Sequence, residues 1–293
     1  LIKSIGDSKD LLAAGFTTAK DMAGTNAIFL KAAVAEGTLT GLPRILAAGY
    51  MLSQTFGHGD MHFLPVGCSD ARTTEHRSLL SGVGLLCDGV DECIKATRYA
   101  LREGADFIKV ATTGGVASQK DKPSDVQFNL DEIKAIVETA AQSGKFVSAH
   151  CQNSAGAKQS ILGGVKTIDH ANDVDDAVVE LALGKGAIFV SSLAVARAML
   201  DRGTEGGMPP WAVEKAKKQW DLMCESYRRI KEAGAVLAVG TDHIGSPSMK
   251  LGRNAIELEL LVKHCDFTPM EAIVAATKHG AVACFMEDET GTI

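Results

Sequence analysis

Short apolar segments alternate with helix-like stretches along the whole chain, and this alternation is the feature that most constrains its fold. Most of the apolar segments are continuously apolar and lack the alternation of apolar and polar residues that is typical of a sheet with one solvent-exposed face. Strands of that kind are buried on both faces, as in a parallel sheet covered by helices. The predicted strands are 15–21, 44–51, 106–111, 145–150, 165–170, 187–191 and 235–242.

The helix-like stretches between these strands complete an α/β pattern. The predicted helices are 90–102, 130–142, 155–162, 175–183, 210–233, 255–263 and 269–279. A (β/α)8 TIM barrel has eight parallel strands and about 250 residues, which is the predicted architecture. A doubly wound open sheet stays possible, although no GxGxxG follows the first strand. No linker or internal repeat divides the chain, so residues 1–293 are predicted to form one domain.

Charge and composition argue against several classes of partner. The chain has 30 Lys and Arg residues and 36 Asp and Glu residues, a net charge of −6, which disfavours binding to nucleic acid. No apolar run reaches the ~18–20 residues of a membrane helix, so no membrane span is expected. The seven cysteines form no CxxC pair, which favours a reduced, cytoplasmic protein over a disulfide framework.

Four of the predicted strands carry an ionisable residue at or near the carboxyl end. Lys109 lies inside an apolar segment, His150 and His170 each end one, and Asp242 ends the last. In a barrel the carboxyl ends of the strands converge on one face, where active sites lie. Because burying these groups without partners is costly, they are predicted to share one polar site.

Imidazole and carboxylate groups in such a site suit Zn²⁺ and similar divalent ions. A buried lysine such as Lys109 can lose its proton and become a nucleophile. A neutral lysine amine can also take up CO₂ and form a carbamate, which is an anionic ligand. Three hypotheses follow: a metal-dependent hydrolase, a metal-free barrel enzyme that uses Lys109 as a Schiff-base nucleophile, and a non-catalytic scaffold.

The strand-end residues and three further motifs resemble the amidohydrolase superfamily. The motifs are residues 52–60 (LSQTFGHGD), 109–116 (KVATTGGV) and 268–277 (TPMEAIVAAT). Within the superfamily they are most similar to the imidazolonepropionase-like and prolidase-like branch, and there to the ochratoxinase-like metal-dependent amidohydrolases. The likeness covers nearly the whole chain.

The resemblance implies a binuclear site with two divalent metal ions, for which Zn²⁺ is the expected identity. Carboxylated Lys109 would bridge the two ions, and His150 and His170 would bind the second. Asp242 would bind the first ion and act as the general acid and base, while a hydroxide between the metals attacks the carbonyl. His58 would point at the substrate carbonyl, although the alternative for this Gly-His-Gly segment is a flexible loop with a surface histidine.

The implied reaction is hydrolysis of a C–N amide bond, with release of a C-terminal amino acid from a small amide or dipeptide, as in carboxypeptidase-like and prolidase-like enzymes. Gln152 and His243 are the further candidates for substrate binding, and a homo-oligomer is expected. Residues 113–115 are predicted to be a tight loop that shapes the pocket, or alternatively a phosphate cradle.

The chain departs from the family pattern in two ways. Family members carry a His-x-His pair on the first barrel strand, and this chain has none. It is therefore predicted to be an internal fragment of a longer protein, without the first barrel strand and the small β-sandwich. Relatives also often place Tyr two residues after the first strand-end histidine, where this chain has Gln152.

Overall fold

Parallel strands and covering helices form two units in the computed structural model, which describes residues 2–60, 62, 69–70, 72 and 84–292. The amino-terminal unit comprises Thr18–Thr40 and Arg44–Lys166, and the carboxyl-terminal unit comprises Leu1–Thr17, Gly41–Pro43 and Thr167–Ile293.

The helices and strands follow one another in nearly regular alternation. Up to residue 166 they are α1 (Ile2–Ala13), β1 (Thr18–Asp21), α2 (Thr25–Ala35), β2 (Arg44–Ala47), β3 (Met51–Ser53), β4 (Gly84–Leu86), α3 (Val90–Arg102), β5 (Ile108–Ala111), α4 (Leu130–Ala141), β6 (Val147–Cys151) and α5 (Ser154–Leu162). The remaining elements are β7 (Thr167–His170), α6 (Asp176–Lys185), β8 (Ile188–Val190), α7 (Leu193–Arg202), a 3-10 turn (Gly203–Gly206), α8 (Pro210–Glu232), β9 (Leu237–Ala238), α9 (Ile256–His264), α10 (Pro269–Ala276) and α11 (Lys278–Ala283).

In the amino-terminal unit, strands β4, β3, β5 and β6 lie side by side in that order, and all pairs are parallel. Strands β1 and β2 form a separate parallel pair. Lys109 is in register with Ser148, and Ala111 is in register with His150. Because successive side chains of a strand point to opposite faces, Lys109 and His150 share one face of this sheet.

In the carboxyl-terminal unit, β7, β8 and β9 lie side by side in that order, and both pairs are parallel. Ile168, Phe189 and Leu237 are buried on these strands, and Tyr227 of α8 is buried with them. The three strand residues are in register and therefore form one apolar face, whereas the opposite face of β7 carries the buried polar residues Thr167 and Asp169.

The predicted parallel α/β class is confirmed, but several boundaries were wrong. The predicted strand 44–51 is divided into β2 and β3 because Gly49 adopts φ 72°, which an extended strand cannot contain. The predicted helix 269–279 is divided at Thr277. The last strand ends at Ala238, so Asp242 lies in the segment that follows it rather than at the strand end.

Among the described elements, strand β4, the helices α2 and α7 and the 3-10 turn were not predicted. Within the described part of the chain, no helix combines the length and the apolar character needed to cross a membrane.

A capping box begins α4 and also ties it to α3. The Asn129 side chain accepts hydrogen bonds from the backbone amides of Asp131 and Glu132, at 2.9 and 3.0 Å. Glu132 in turn accepts from the Asn129 amide at 2.6 Å and from the Gly89 amide, just before α3, at 2.7 Å. One side chain thus satisfies amides at the starts of two helices that pack together.

Replacing Asn129 by Ala removes the acceptor for two helix amides. The free energy of unfolding should fall by about 0.5–2 kcal/mol, the usual cost of losing such a cap. Urea denaturation measures this change, and Asn129→Ser, which keeps an oxygen acceptor, is the matched control. Equal midpoints for Asn129→Ala and the parent protein would show that the cap adds nothing.

Candidate active site

Two imidazole rings form a stacked pair in the amino-terminal unit. His58 lies in the loop after β3 and His150 lies in β6, and their ring centroids are 3.9 Å apart at an angle of 12°. Gly115 packs against both rings: a Cβ atom there would lie 2.3 Å from His58 Cε1 and 3.0 Å from His150 Nε2. Only glycine fits between the loop and the pair.

Hydrogen bonds hold His58 on both its backbone and its ring. Its backbone amide donates to Gln127 Oε1 at 2.9 Å, and its Nδ1 lies 2.8 Å from Ser118 Oγ. Asp121 Oδ2 lies 3.8 Å from the same Nδ1 and accepts from the Gly115 amide at 3.1 Å. These contacts leave the His58 side chain largely buried, so it is not the surface histidine of the alternative interpretation.

The loop that supplies these partners returns on itself. The Gly114 amide donates to the Asp125 carbonyl at 3.0 Å, and the Gln127 amide donates to the Thr112 carbonyl at 2.8 Å. A Cβ atom on Gly114 would lie 2.2 Å from the Lys122 carbonyl oxygen, so glycine is required by the close approach of the two arms. Residues 113–115 thus match the predicted tight loop and pack against histidines.

Lys109 and His150 are both buried on the shared face of the sheet, with 4% and 3% of their surfaces exposed. His150 Nε2 lies 3.2 Å from the Gly114 carbonyl oxygen. Gln152 is also buried, its backbone amide donates to Thr113 Oγ1 at 2.9 Å, and its Oε1 has no hydrogen-bond partner among the described residues. The structure therefore brings polar groups together on this face.

A second lysine occupies the same face and was not predicted. Lys20 of β1 lies with its Nζ 3.5 Å from Ser148 Oγ, 5.0 Å from the ring centre of Phe107 and 5.3 Å from that of Phe146. Such cation–π contacts favour a charged amine over an aromatic face. Since Ser148 is in register with Lys109, Lys20 brings a further amine to this region.

In the carboxyl-terminal unit, two of the predicted site residues have left-handed backbones. His170 and Asp242 adopt φ 72° and 53°, and Ala171 follows at φ 44°. Residues other than glycine rarely adopt positive φ, and such strain concentrates at functional sites. The conformation therefore supports a functional role for His170 and Asp242.

The His170 ring has a defined partner, since its Nδ1 lies 2.8 Å from Ser192 Oγ. Metal-binding histidines are commonly oriented by a hydrogen bond to their second ring nitrogen. Glu257 fixes the neighbouring turn, because its buried carboxylate accepts from the amides of Leu193 and Ala194 at 2.8 and 2.6 Å. Burial raises the pKa of Glu257 to about 7.

Asp242 and His243 lie in the segment beyond β9, and Asp242 is exposed there. His243 is partly buried, and its Nδ1 lies 3.1 Å from the Lys250 carbonyl oxygen. Burial lowers the pKa of His243 from its ordinary value. A contact of His243 with substrate stays a prediction.

The predicted residues thus fall into two groups. The amino-terminal unit holds Lys109, His150, His58 and Gln152, while the other unit holds His170, Asp242 and His243; their convergence on one cavity stays a prediction. Amine, imidazole and carboxylate donors fit a divalent ion chemically. Among the residues that the structure describes, however, no three His, Cys, Asp or Glu side chains form a group that could hold a metal ion.

Several polar residues of these groups escaped the sequence analysis. Ser118, Asp121 and Gln127 lie in a polar loop with no strand-end position to mark them. Ser192 and Glu257 lie next to or within helical segments, where similar residues are common on solvated faces. These residues can be recognised as part of the candidate site only from their contacts with distant segments of the chain, and not from a local sequence pattern.

The chain is similar to known proteins over nearly its whole length. Residues 6–293 match the sequence profile of the Amidohydrolase family. Ochratoxinase from Aspergillus niger is 37% identical over 274 residues, which is 92% of this chain and 55% of that protein. The chain therefore spans about half the length of the curated relatives it matches.

Crystal structures of relatives have the same fold as this chain. The crystal structure of A. niger ochratoxinase has a TM-score of 0.86 and 34% identity, and the match covers 95% of this chain and 63% of that one. A prolidase complexed with N-methylphosphonate-L-proline has a TM-score of 0.85 and 30% identity, and the match covers 100% of this chain and 69% of that one. These matches confirm the predicted fold class.

Replacing Gly115 by Ala should separate the His58 and His150 rings, because the new methyl group overlaps both. We expect activity of the full-length protein to fall at least tenfold, as roughly 1 Å displacements of reacting groups can cost a hundredfold. Gly184→Ala is the matched control, since nothing lies near that position. Unchanged activity of Gly115→Ala, measured on the substrate that the parent protein turns over, would refute the role of the stacked pair.

Proposed function

Because this chain belongs to the amidohydrolase family, we propose that it hydrolyses a C–N amide bond with the help of divalent metal ions. The observation that supports this most directly is the burial of Lys109 on the sheet face that also carries His150. A buried amine and a buried imidazole are stable only beside charged or polar groups that bind them. The named relatives, an ochratoxinase and a prolidase, support a hydrolase.

The proposed metal ligands are Lys109, His150, His170 and Asp242, with Lys109 carboxylated and Zn²⁺ as the metal. Divalent ions at such a site polarise a carbonyl and lower the pKa of water. The Ser192 contact at Nδ1 supports the role of His170, because it fixes the orientation of the ring.

His58 and Asp242 are proposed to act on the reacting groups directly, Asp242 in addition to its role as a metal ligand. His58 is held by Ser118 and Gln127, so it can present its ring to the oxygen of the scissile carbonyl without reorganising. Asp242 accepts a proton from the attacking water and delivers it to the leaving amine, as general acid–base catalysis requires. An exposed carboxylate can exchange that proton readily with its surroundings.

The proposed substrates are small amides or dipeptides whose amine half is an amino acid with a free carboxylate. Gln152 supports this, since its buried side-chain oxygen has no partner among the described residues. A flip of the amide exchanges its oxygen and nitrogen, so the same side chain can turn its N–H groups towards a carboxylate. A neutral amide binds a carboxylate less strongly than a charged donor does.

Chelation of the full-length protein should abolish amide hydrolysis, and about two equivalents of divalent metal should restore it. Lys109→Ala should remove most activity and lower the bound metal measured by mass spectrometry, whereas Lys158→Ala, at an exposed lysine on α5, should change neither. Activity that survives both chelation and Lys109→Ala would exclude the proposed function. A Lys109 adduct trapped by borohydride would instead favour the metal-free Schiff-base enzyme.

Substrate selection can be tested with N-acyl amino acids and their carboxamides. We expect the acids to be hydrolysed faster, and Gln152→Ala to raise KM more than it lowers kcat, as loss of uniform binding does. Gln142→Ala, at an exposed glutamine after α4, is the control. Equal kcat/KM for acids and carboxamides would argue against carboxylate recognition while leaving amide hydrolysis intact.

A further inference from the structure

The backbone turns sharply where β7 ends, through two consecutive left-handed residues. His170 and Ala171 adopt φ 72° and 44°, and neither is glycine. In the left-handed backbone conformation the side chain crowds its own backbone. A residue other than glycine therefore adopts an extended or right-handed conformation unless its surroundings prevent this. Something outside the turn must therefore hold this pair.

Two neighbouring hydroxyl groups of α8 hold it. Tyr227 donates its hydroxyl hydrogen to the His170 carbonyl oxygen at 2.5 Å. Ser226 donates to the Ala171 carbonyl oxygen at 2.6 Å. Both side chains are completely buried, so water does not compete for these carbonyl groups. We call this pair of residues the hydroxyl clamp.

The clamp also reaches the His170 ring through Ser192. The Tyr227 hydroxyl oxygen accepts a hydrogen bond from the Ser192 amide at 3.0 Å, while Ser192 Oγ lies 2.8 Å from His170 Nδ1. The three residues thus close a ring of contacts that fixes His170 at its carbonyl group and at its imidazole.

We infer that Ser226 and Tyr227 are positioning residues that keep the His170–Ala171 backbone left-handed and thereby aim the His170 imidazole. The value of that aim for catalysis rests on the proposed function, in which His170 is a metal ligand. The clamp itself is defined by the contacts of α8 with the turn.

A role in packing alone makes a different prediction. The Tyr227 ring fills core volume that phenylalanine fills equally well, so Tyr227→Phe removes only the oxygen atom. If the hydroxyl group positions His170, the variant folds while the imidazole loses its fixed orientation. Tyr99→Phe, at a partly buried tyrosine of α3, is the matched control.

The experiment uses the full-length protein labelled with ¹³C-histidine, with the His170 signal assigned by its loss in His170→Gln. In metal-free protein we expect Tyr227→Phe to shift and broaden the His170 ring signal, and Tyr99→Phe to leave it unchanged. In a Zn²⁺ titration, affinity should fall ~10–100-fold, as it does when an outer partner of a metal ligand is lost. Ser226→Ala should shift the ring signal in the same way.

An unchanged His170 signal in folded Tyr227→Phe and Ser226→Ala would overturn the inference, and so would failure of both variants to fold. If the parent protein binds no metal and cleaves no amide, the proposed function fails. The signal of His170 in metal-free protein still decides whether the clamp exists.

Discussion

The cost of burying ionisable side chains inside a parallel sheet governs the arrangement of the amino-terminal unit. Lys109 and His150 are withdrawn from water on one face of adjoining strands, where a charge without polar neighbours is strongly unfavourable. In the loop after β5, the Gly114 carbonyl oxygen lies against the His150 ring, and the Thr113 hydroxyl group accepts a hydrogen bond from the backbone amide of nearby Gln152. The loop can come close enough only because Gly114 and Gly115 lack side chains.

In the carboxyl-terminal unit, buried hydrogen bonds stabilise backbone strain rather than buried ionisable side chains. His170 and Asp242 have conformations that their side chains disfavour, and the buried hydroxyl groups of α8 stabilise the first of these turns. Burial and the nearby Glu257 raise the pKa of Tyr227 above its ordinary value, so its hydroxyl group keeps the hydrogen that it donates. The apolar core thus fixes polar groups at the end of a strand.

The sequence predicted best what depends on local pattern. The helix 90–102 agrees with α3 at both ends, because its amphipathic period and flanking glycines are all contained in the segment. The strand-end positions of His150 and His170 follow from the same kind of pattern. Strand β4 was missed because its three residues, Gly84–Leu86, are too few to show any period.

Contacts between distant segments could not be predicted in this way. His58 was selected by family resemblance, but its neighbours Ser118 and Asp121 lie sixty or more positions away in a loop without a motif. Tyr227 carries no sign of its role either, since an aromatic residue in a long helix ordinarily packs in the core. Only the fold shows that its oxygen meets His170.

The two arms of the loop after β5 are joined at its base, where Thr113 forms an antiparallel bridge with Val126. Backbone hydrogen bonds from Gly114 to Asp125 and from Gln127 to Thr112 also close this base, which makes the segment a natural cassette for protein engineering. Exchanges between relatives, or libraries that diversify the tip, can therefore be made between fixed ends. The glycines beside the histidine pair, the hydroxyl group of Ser118 and the carboxylate of Asp121 must travel with every graft, which leaves residues 116, 117, 119 and 120 as the freedom available to directed evolution.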